Sequence, residues 1–380
     1  MNRKYNMRFD KLNSIWNFEK PIEEIYNTKN NAFDLFRFLL ASSIIIFHSY
    51  VLTGIQKPDF LAVLTKGQIN LAEFAVGGFF AISGFLVTQS LFNSKSVHQY
   101  LWKRFLRLFP ALLVSLVFSA ILIGPFITKL SMRDYFFGSE GVSPWQNIFS
   151  NITLSIFNFK YLIRDLFKNN PYPYAVNGSL WTLKHEFASY LLLVVLAFFG
   201  FIKHPKLLII FSGLIGSAYL INHLMGVNLV SKITTTWWIF NSVEYPYFLE
   251  YFWMFLLGSI IYIYRKNIFV NSRLLILLFG LVLISIWAGY FHYAWLIFSP
   301  YLIIAIAILL PLSGFAKYGD FSYGIYVYAF PIQQTIVFLL YPKINEIQLM
   351  LYAFVVTLIL AIISWNVVEK PALSLKNRIG

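Results

Sequence analysis

Residues 33–52 read FDLFRFLLASSIIIFHSYVL, an apolar run that carries Arg37 near one end and His48 near the other. Some twenty apolar residues suffice for an α-helix, rising 1.5 Å per residue, to cross a hydrocarbon layer ~30 Å thick. The step from Arg37 to His48 is then roughly 16 Å, so an arginine at one membrane surface puts the histidine past the middle of the layer. Ionisable groups at that depth are costly and mark candidate functional positions. A plainer reading is open too: Arg37 reaches out to lipid phosphates, and His48 is a core histidine with its bonds satisfied.

Composition extends the membrane reading to the whole chain. Of 380 residues, 58% are hydrophobic and only 12% charged, with a mean hydropathy of +0.66, more apolar surface than a water-soluble core of this length could use. The sequence predicts an all-α polytopic membrane protein. After a first span at 33–54, apolar segments follow at 71–92, 105–128, 179–202, 206–225, 246–264, 273–291, 293–313, 323–341 and 347–368, about ten in all. The formal net charge of +14 does not point to nucleic acid, because the basic residues form short clusters between spans and not one soluble segment. Threaded alternately from a cytoplasmic N-terminus, most of these clusters fall inside. Both termini are therefore expected in the cytoplasm, with residues 1–32 and 370–380 as tails around a transmembrane unit at 33–369. Cysteine is absent, which excludes disulfides, thiolate metal sites and a cysteine nucleophile, and no metal is expected. The first thirty residues hold no apolar signal core, so the first span is expected to act as its own anchor.

Residues 129–178 are expected to form an extracytoplasmic or interfacial loop region. Within it WQNIFSNITLSIFNFKYLI, Trp145 to Ile163, is apolar but broken by Asn147, Asn151 and Asn158, and the turn-rich KNNPYPY follows. That pattern predicts an interfacial or re-entrant element and not a full span.

Four groups of residues carry candidate chemistry. The run YLWKRFLRLFP sets Arg104 and Arg107 three apart, on one helix face, at the same inner depth as Arg37. Guanidinium forks match phosphate oxygens, so the three could hold a polyphosphate; an ordinary positive-inside flank has the same sequence. In VNGSLWTLKHEFASYLLL, residues 176–193, Thr182, Glu186, Ser189 and Tyr190 share a face while Lys184 and His185 point elsewhere. Glu186 lies roughly 10 Å below the outer boundary, near the depth of His48, which allows a His–Glu pair that would sharpen the imidazole as a base. Alternatively, Glu186 pairs with Lys184 or Lys160 and only orients helices. In AVGGFFAISGFLV, residues 75–87, Gly77, Gly78 and Gly84 read as helix-packing positions, with Ser83 a packing group or a polar substrate contact. In GDFSYGIYVYAFPIQQ, residues 319–334, Asp320 and Ser322 read as N-cap groups and the tyrosines as interfacial anchors.

Taken together these landmarks resemble the acyltransferase 3 family of bacterial integral membrane acyltransferases, which modify surface polysaccharides and related acceptors. Arg37 and His48 match its leading motif, Phe79 to Leu86 its FFxISGFL block, Arg104 and Arg107 its RxxR, and Ser179 to Phe187 its SLWTLxxEF block. Ser322 to Tyr326 (SYGIY) and Val368 to Pro371 (VEKP) look like its closing signatures. The resemblance implies that Arg37 and His48 form the catalytic pair, that Arg104 and Arg107 meet acyl-CoA, and that Glu186 is a functional acid. Many relatives carry a histidine before the aromatic-Pro step of the ninth span; here Ala329 stands there, so that histidine's role does not transfer. The chain stops soon after the last span, so the SGNH domain fused to some relatives is not expected.

The expectation is an O-acyltransferase that takes an acyl group, acetyl first, from cytoplasmic acyl-CoA and places it on a sugar hydroxyl of a surface polysaccharide such as O-antigen, capsule or exopolysaccharide. The acceptor is a glycan or lipid-linked glycan, and the other partner is the bilayer. A sugar hydroxyl is almost un-ionised at neutral pH and needs a base or a prior acyl-enzyme; His48 is the candidate for either, and Glu186 its expected orienting partner. Ser83, Trp181 and Tyr323 are the candidate substrate contacts. A transporter, flippase or polymerase of lipid-linked sugars would share this composition and is the alternative.

Overall fold

The structure is a computed structural model that describes residues 18–55, 57–154, 159–225, 245–310, 312 and 314–378. Helices stand at each expected span: α1 Phe33–Leu52, α2 Leu71–Phe92, α3 Val97–Val117, α4 Leu180–Phe198, α5 Pro205–Met225, α6 Tyr245–Ile263, α7 Ser272–Ala288, α8 Phe291–Leu309, α9 Ser322–Leu340 and α10 Glu346–Ser364. Among the described residues eight helices are long and apolar enough to cross a membrane, and α6 and α7 carry shorter apolar stretches. The only sheet described is a two-stranded ribbon in which β1, Glu19–Pro21, pairs antiparallel with β2, Phe269–Asn271. The ribbon ties the segment before α1 to the α6–α7 connection, and Arg265 meets Glu23 beside it.

Side-chain chemistry sets the helix limits. Asn70 and Glu73 cap α2 reciprocally, as Asn345 and Gln348 cap α10, and each pair satisfies backbone N–H groups that a helix start leaves open. Ser96 caps α3 well before the apolar run begins, so Lys103, Arg104 and Arg107 ride on established helix, and Pro110 lies within it. α3 continues through a π-helical stretch, Phe118–Ile123, to Ile127. α10 similarly passes into a π-helical stretch, Trp365–Glu369, which carries Glu369 with only 2% of its surface exposed.

Burial separates hub from periphery. In α2 and α9, 67% and 72% of the spanning window is buried, against 22% for α5 and 28% for α10. α2 packs on α1, α6 and α8, while α9 packs on α1, α3 and α10. The peripheral helices turn large apolar side chains outward, Ile210 and Leu214 on α5 and Leu351 and Val355 on α10 among them, the surface expected of a lipid-facing helix. At the α2–α6 crossing, Gly84 lies against the Phe255 carbonyl and Gly258 against the Ala81 carbonyl, so neither position has room for a Cβ. Gly77 and Gly78 are approached less closely, by the side chains of Met254 and Leu40.

In the 129–178 region the helices are short, Met132–Phe137 and Pro144–Ile152. Nine residues rise only about 14 Å, so Pro144–Ile152 does not span. The asparagines that interrupt the apolar stretch hold the returning chain: Asn147 and Asn151 donate to the Lys160 carbonyl at 2.7 and 2.8 Å, and Lys160 N–H donates back to Asn151. Asn158 lies outside the described residues. Further on, Asn170 donates to Gln334, Gln334 donates to the Tyr172 and Ala175 carbonyls, and Asn177 donates to the Val327 carbonyl, which seats the loop on α9.

Candidate active site

Two adjoining cavities hold the residues singled out from the sequence. The first, about 80 Å³, is walled by Arg37, Ser83, Arg104, Arg107, Thr182, Glu186, Ser322, Tyr323 and Tyr326. The second, about 160 Å³, is walled by His48, Glu73, Trp181, Tyr247 and Tyr251, among others. Val76 and Tyr326 line both, so the cavities meet there.

Arg37, Arg104 and Arg107 line the one cavity, and two of them, Arg37 and Arg107, meet on a carboxylate that the sequence suggested only as a helix cap. Asp320 Oδ2 lies 2.5 Å from Arg107 and 3.0 Å from Arg37, while Oδ1 accepts from the Ser322 hydroxyl at 2.5 Å. Burial pushes the Asp320 pKa up, yet Arg107 and Arg37, helped by Ser322, more than offset it and hold the carboxyl at about 2, well below the usual range. Arg37 also pairs with Asp34, and Glu369 stands 3.9 Å from Arg107 and accepts from Ser364. The closing motif residues therefore return to the arginines. Arg104 differs: it donates to Ser90 at 3.1 Å and lies over the Tyr190 ring, and no carboxylate among the described residues pairs with it. Its Nε is buried without a partner.

Glu186 points into this cavity, where Oε1 accepts from Ser83 at 3.1 Å and from Tyr190. Thr182 bonds the Tyr326 hydroxyl, which lies 2.9 Å from the Ser179 carbonyl, and Tyr323 donates to the Leu108 carbonyl at 2.8 Å. Thr182, Glu186 and Tyr190 thus share the face that their spacing foretold; Ser189 instead donates to the His185 carbonyl. His185 packs on Trp181 and Phe248, and both its nitrogens lack partners.

His48 occupies the second cavity with its ring edge-on to Phe330, centroids 4.9 Å apart. Among the described residues it has no hydrogen-bond partner, and its Nδ1 is buried. The expected His48–Glu186 bond is absent from this structure because Glu186 turns to Ser83 and Tyr190 while His48 faces the other cavity. An equal depth expected from residue counting does not bring two side chains together when their helices present different faces. Trp181 does face His48's cavity, whereas Ser83 and Tyr323 belong to the arginine cavity.

A third polar group was not anticipated. Glu250 on α6 bonds Tyr219 on α5, whose hydroxyl lies 2.7 Å from His292 Nε2 on α8, and His223 stacks on His292. Glu250 and His292 are ionisable residues within apolar runs, and the criterion that singled out His48 applies equally to them.

A bundle of membrane helices that encloses an arginine–carboxylate cavity and, beside it, an unpartnered imidazole defines an integral membrane protein with a buried polar site. Residues 30–366 match the family described as Acyltransferase domain, and the chain belongs to the acyltransferase 3 family; it is an acyltransferase. It is 28% identical over 355 residues, covering 91% of this chain and 97% of the relative, to a protein of Shigella phage Sf6 named O-acetyl transferase. It is 26% identical, covering 94% of this chain and 96% of the relative, to Nodulation protein 10 of Rhizobium leguminosarum bv. viciae. No solved structure matches the chain.

Proposed function

We propose that the protein is an O-acyltransferase of the bacterial inner membrane that moves an acyl group, acetyl first, from acyl-CoA to a sugar hydroxyl of a surface polysaccharide or its lipid-linked precursor. The observation that carries this reading is the meeting of the two cavities at Val76 and Tyr326, one rich in guanidinium groups and the other holding a free imidazole. The phage relative's name supports acetyl as the group transferred. In this reading residues 33–369 form one catalytic unit with both termini cytoplasmic, so that the arginine cavity faces the CoA pool.

Each residue then has a chemical task. Arg104, free of carboxylates, offers its fork to donor phosphates, while Arg107 and Arg37 are anchored by Asp320 and offer the N–H groups they retain. The thioester reaches toward His48 past Val76 and Tyr326. The hydroxyl oxygen forms a bond to the thioester carbonyl carbon as its proton passes to His48, the C–S bond breaks, and the imidazolium returns the proton to the departing thiolate, which leaves as CoA. An acyl-histidine formed first and then attacked by the hydroxyl would use the same residue. Glu186, with its hydrogen-bond donors Ser83 and Tyr190, acts from the donor side, where it lines the path of the thioester and not the far face of His48.

Purified protein in detergent, given radiolabelled acetyl-CoA and O-deacylated polysaccharide from the producing cell, is expected to release CoA and label the glycan in equal amounts. Glycan movement across vesicles with no CoA release would place the protein among the sugar transporters instead.

A further inference from the structure

Beyond His48, away from the arginines, a third cavity of about 550 Å³ adjoins the second. Phe47, Asn70 and Glu73 line both, so the two cavities share a wall beside the imidazole. The position of the third cavity follows from helix polarity: it gathers the C-terminal end of α1, the N-terminal end of α2, the C-terminal end of α5 and the N-terminal end of α8. Arg37, near the N-terminal end of α1, lies at the opposite end of that helix.

The walls of this vestibule have a different chemistry from the arginine cavity. Tyr50 and Tyr293 contribute aromatic rings, Asn70 and Glu73 offer hydrogen-bonding groups, and His223 and His292 stack with centroids 5.5 Å apart. Lys57 is the only lysine or arginine among the lining residues. Glu73 spends Oε2 on the Asn70 N–H, and Oε1 has no protein hydrogen-bond partner among the described residues. The His292 wall is braced from behind by Tyr219 and, through it, by Glu250. Aromatic rings beside carboxylate, amide and imidazole groups, with a single lysine, suit a neutral ligand that has C–H faces and a rim of hydroxyls. A phosphate would call for the opposite balance of charge. The volume falls within the ~300–1,000 Å³ common for small-ligand sites, enough for a sugar unit.

We propose that this vestibule is the acceptor subsite and binds a sugar residue of the glycan, with the ring against Tyr50 and Tyr293, hydroxyls on Glu73 and Asn70, and the reacting hydroxyl turned inward to His48. The assignment rests on the acyl-transfer reading above and adds to it the acceptor's place and the residues that select it.

The absence of cysteine makes a direct test available. Tyr293→Cys places a single thiol in the vestibule wall, and Lys57→Cys places one at a more exposed lining position, a second site should the first variant fail to fold. The rate of reaction with a charged maleimide is measured on each solubilised protein, alone, with O-deacylated polysaccharide from the producing cell, and with acetyl-CoA. At least one folded variant is expected to react about tenfold more slowly with the polysaccharide and at an unchanged rate with acetyl-CoA. If wild-type protein acetylates the polysaccharide while the thiols of the folded variants stay unprotected by it, the vestibule assignment falls and the acyl-transfer reading stands. Wild-type protein that acetylates nothing overturns the underlying reading, and this assignment with it.

Discussion

The two cavities that meet at Tyr326 are built on opposite principles. On the arginine side nearly every charge is answered: Arg37 and Arg107 share Asp320, Arg37 adds Asp34, and Glu369 approaches Arg107. On the histidine side the central group is unanswered, since His48 has no hydrogen-bond partner among the described residues and touches aromatic rings. A guanidinium without a partner in low dielectric is costly, so the first region must be satisfied to exist. A neutral imidazole can be left without partners at smaller cost, and the lone pair it keeps is what a base or nucleophile needs. Structure and reactivity are thus divided between neighbouring cavities, with Arg104 as the exception on the arginine side.

That contrast can be broken by substitution. His48→Ala is expected to give the largest loss, transfer falling ~10²–10⁴-fold with membrane insertion unchanged, as measured by acetyl incorporation per inserted protein; near-wild-type transfer would remove His48 from the chemistry. Asp320→Ala should act on stability: it takes away the carboxylate shared by two guanidinium groups and should cost about 3 kcal/mol, the lower end of the range for breaking a buried pair, because Asp34 and Glu369 remain. Thermal unfolding in detergent measures it, and an unchanged midpoint would show the network to be dispensable. The same carboxyl sets a pH dependence. Its folded pKa lies below the unfolded value near 3.9, so its contribution is complete above about pH 4 and is lost as the pH falls toward about 2. The smallest effect sharpens the comparison. Arg104→Ala should raise the KM for acetyl-CoA roughly tenfold, the size of one charge-assisted hydrogen bond, with the unfolding midpoint nearly unmoved. A large loss of stability instead would put Arg104 with the paired arginines.

Much of this was legible before the fold. The helices fell where apolar runs of spanning length stood, and the motifs named Arg37, His48, Arg104, Arg107 and Glu186, all of which line the two cavities. Gly77, Gly78 and Gly84 pack as small residues should, while Ser83 turns to Glu186. Asp320 was read as a cap because a short polar residue before a helix ordinarily is one. Its larger role depends on Arg107, 213 residues away, which no local pattern reveals.

The division has one physical cause. Along a membrane helix, expected depth follows from counting residues at a fixed rise, and hydropathy is local, so sequence alone determined the membrane class and where the apolar helices lie. Which way a side chain faces depends on how helices rotate and pack against one another, and that is a property of the assembled bundle. Tertiary structure alone therefore decided that Glu186 turns to Ser83 and Tyr190 and does not meet His48, that Asp320 and Glu369 return to the arginines, and that Glu73 and His292 line a vestibule beside the histidine.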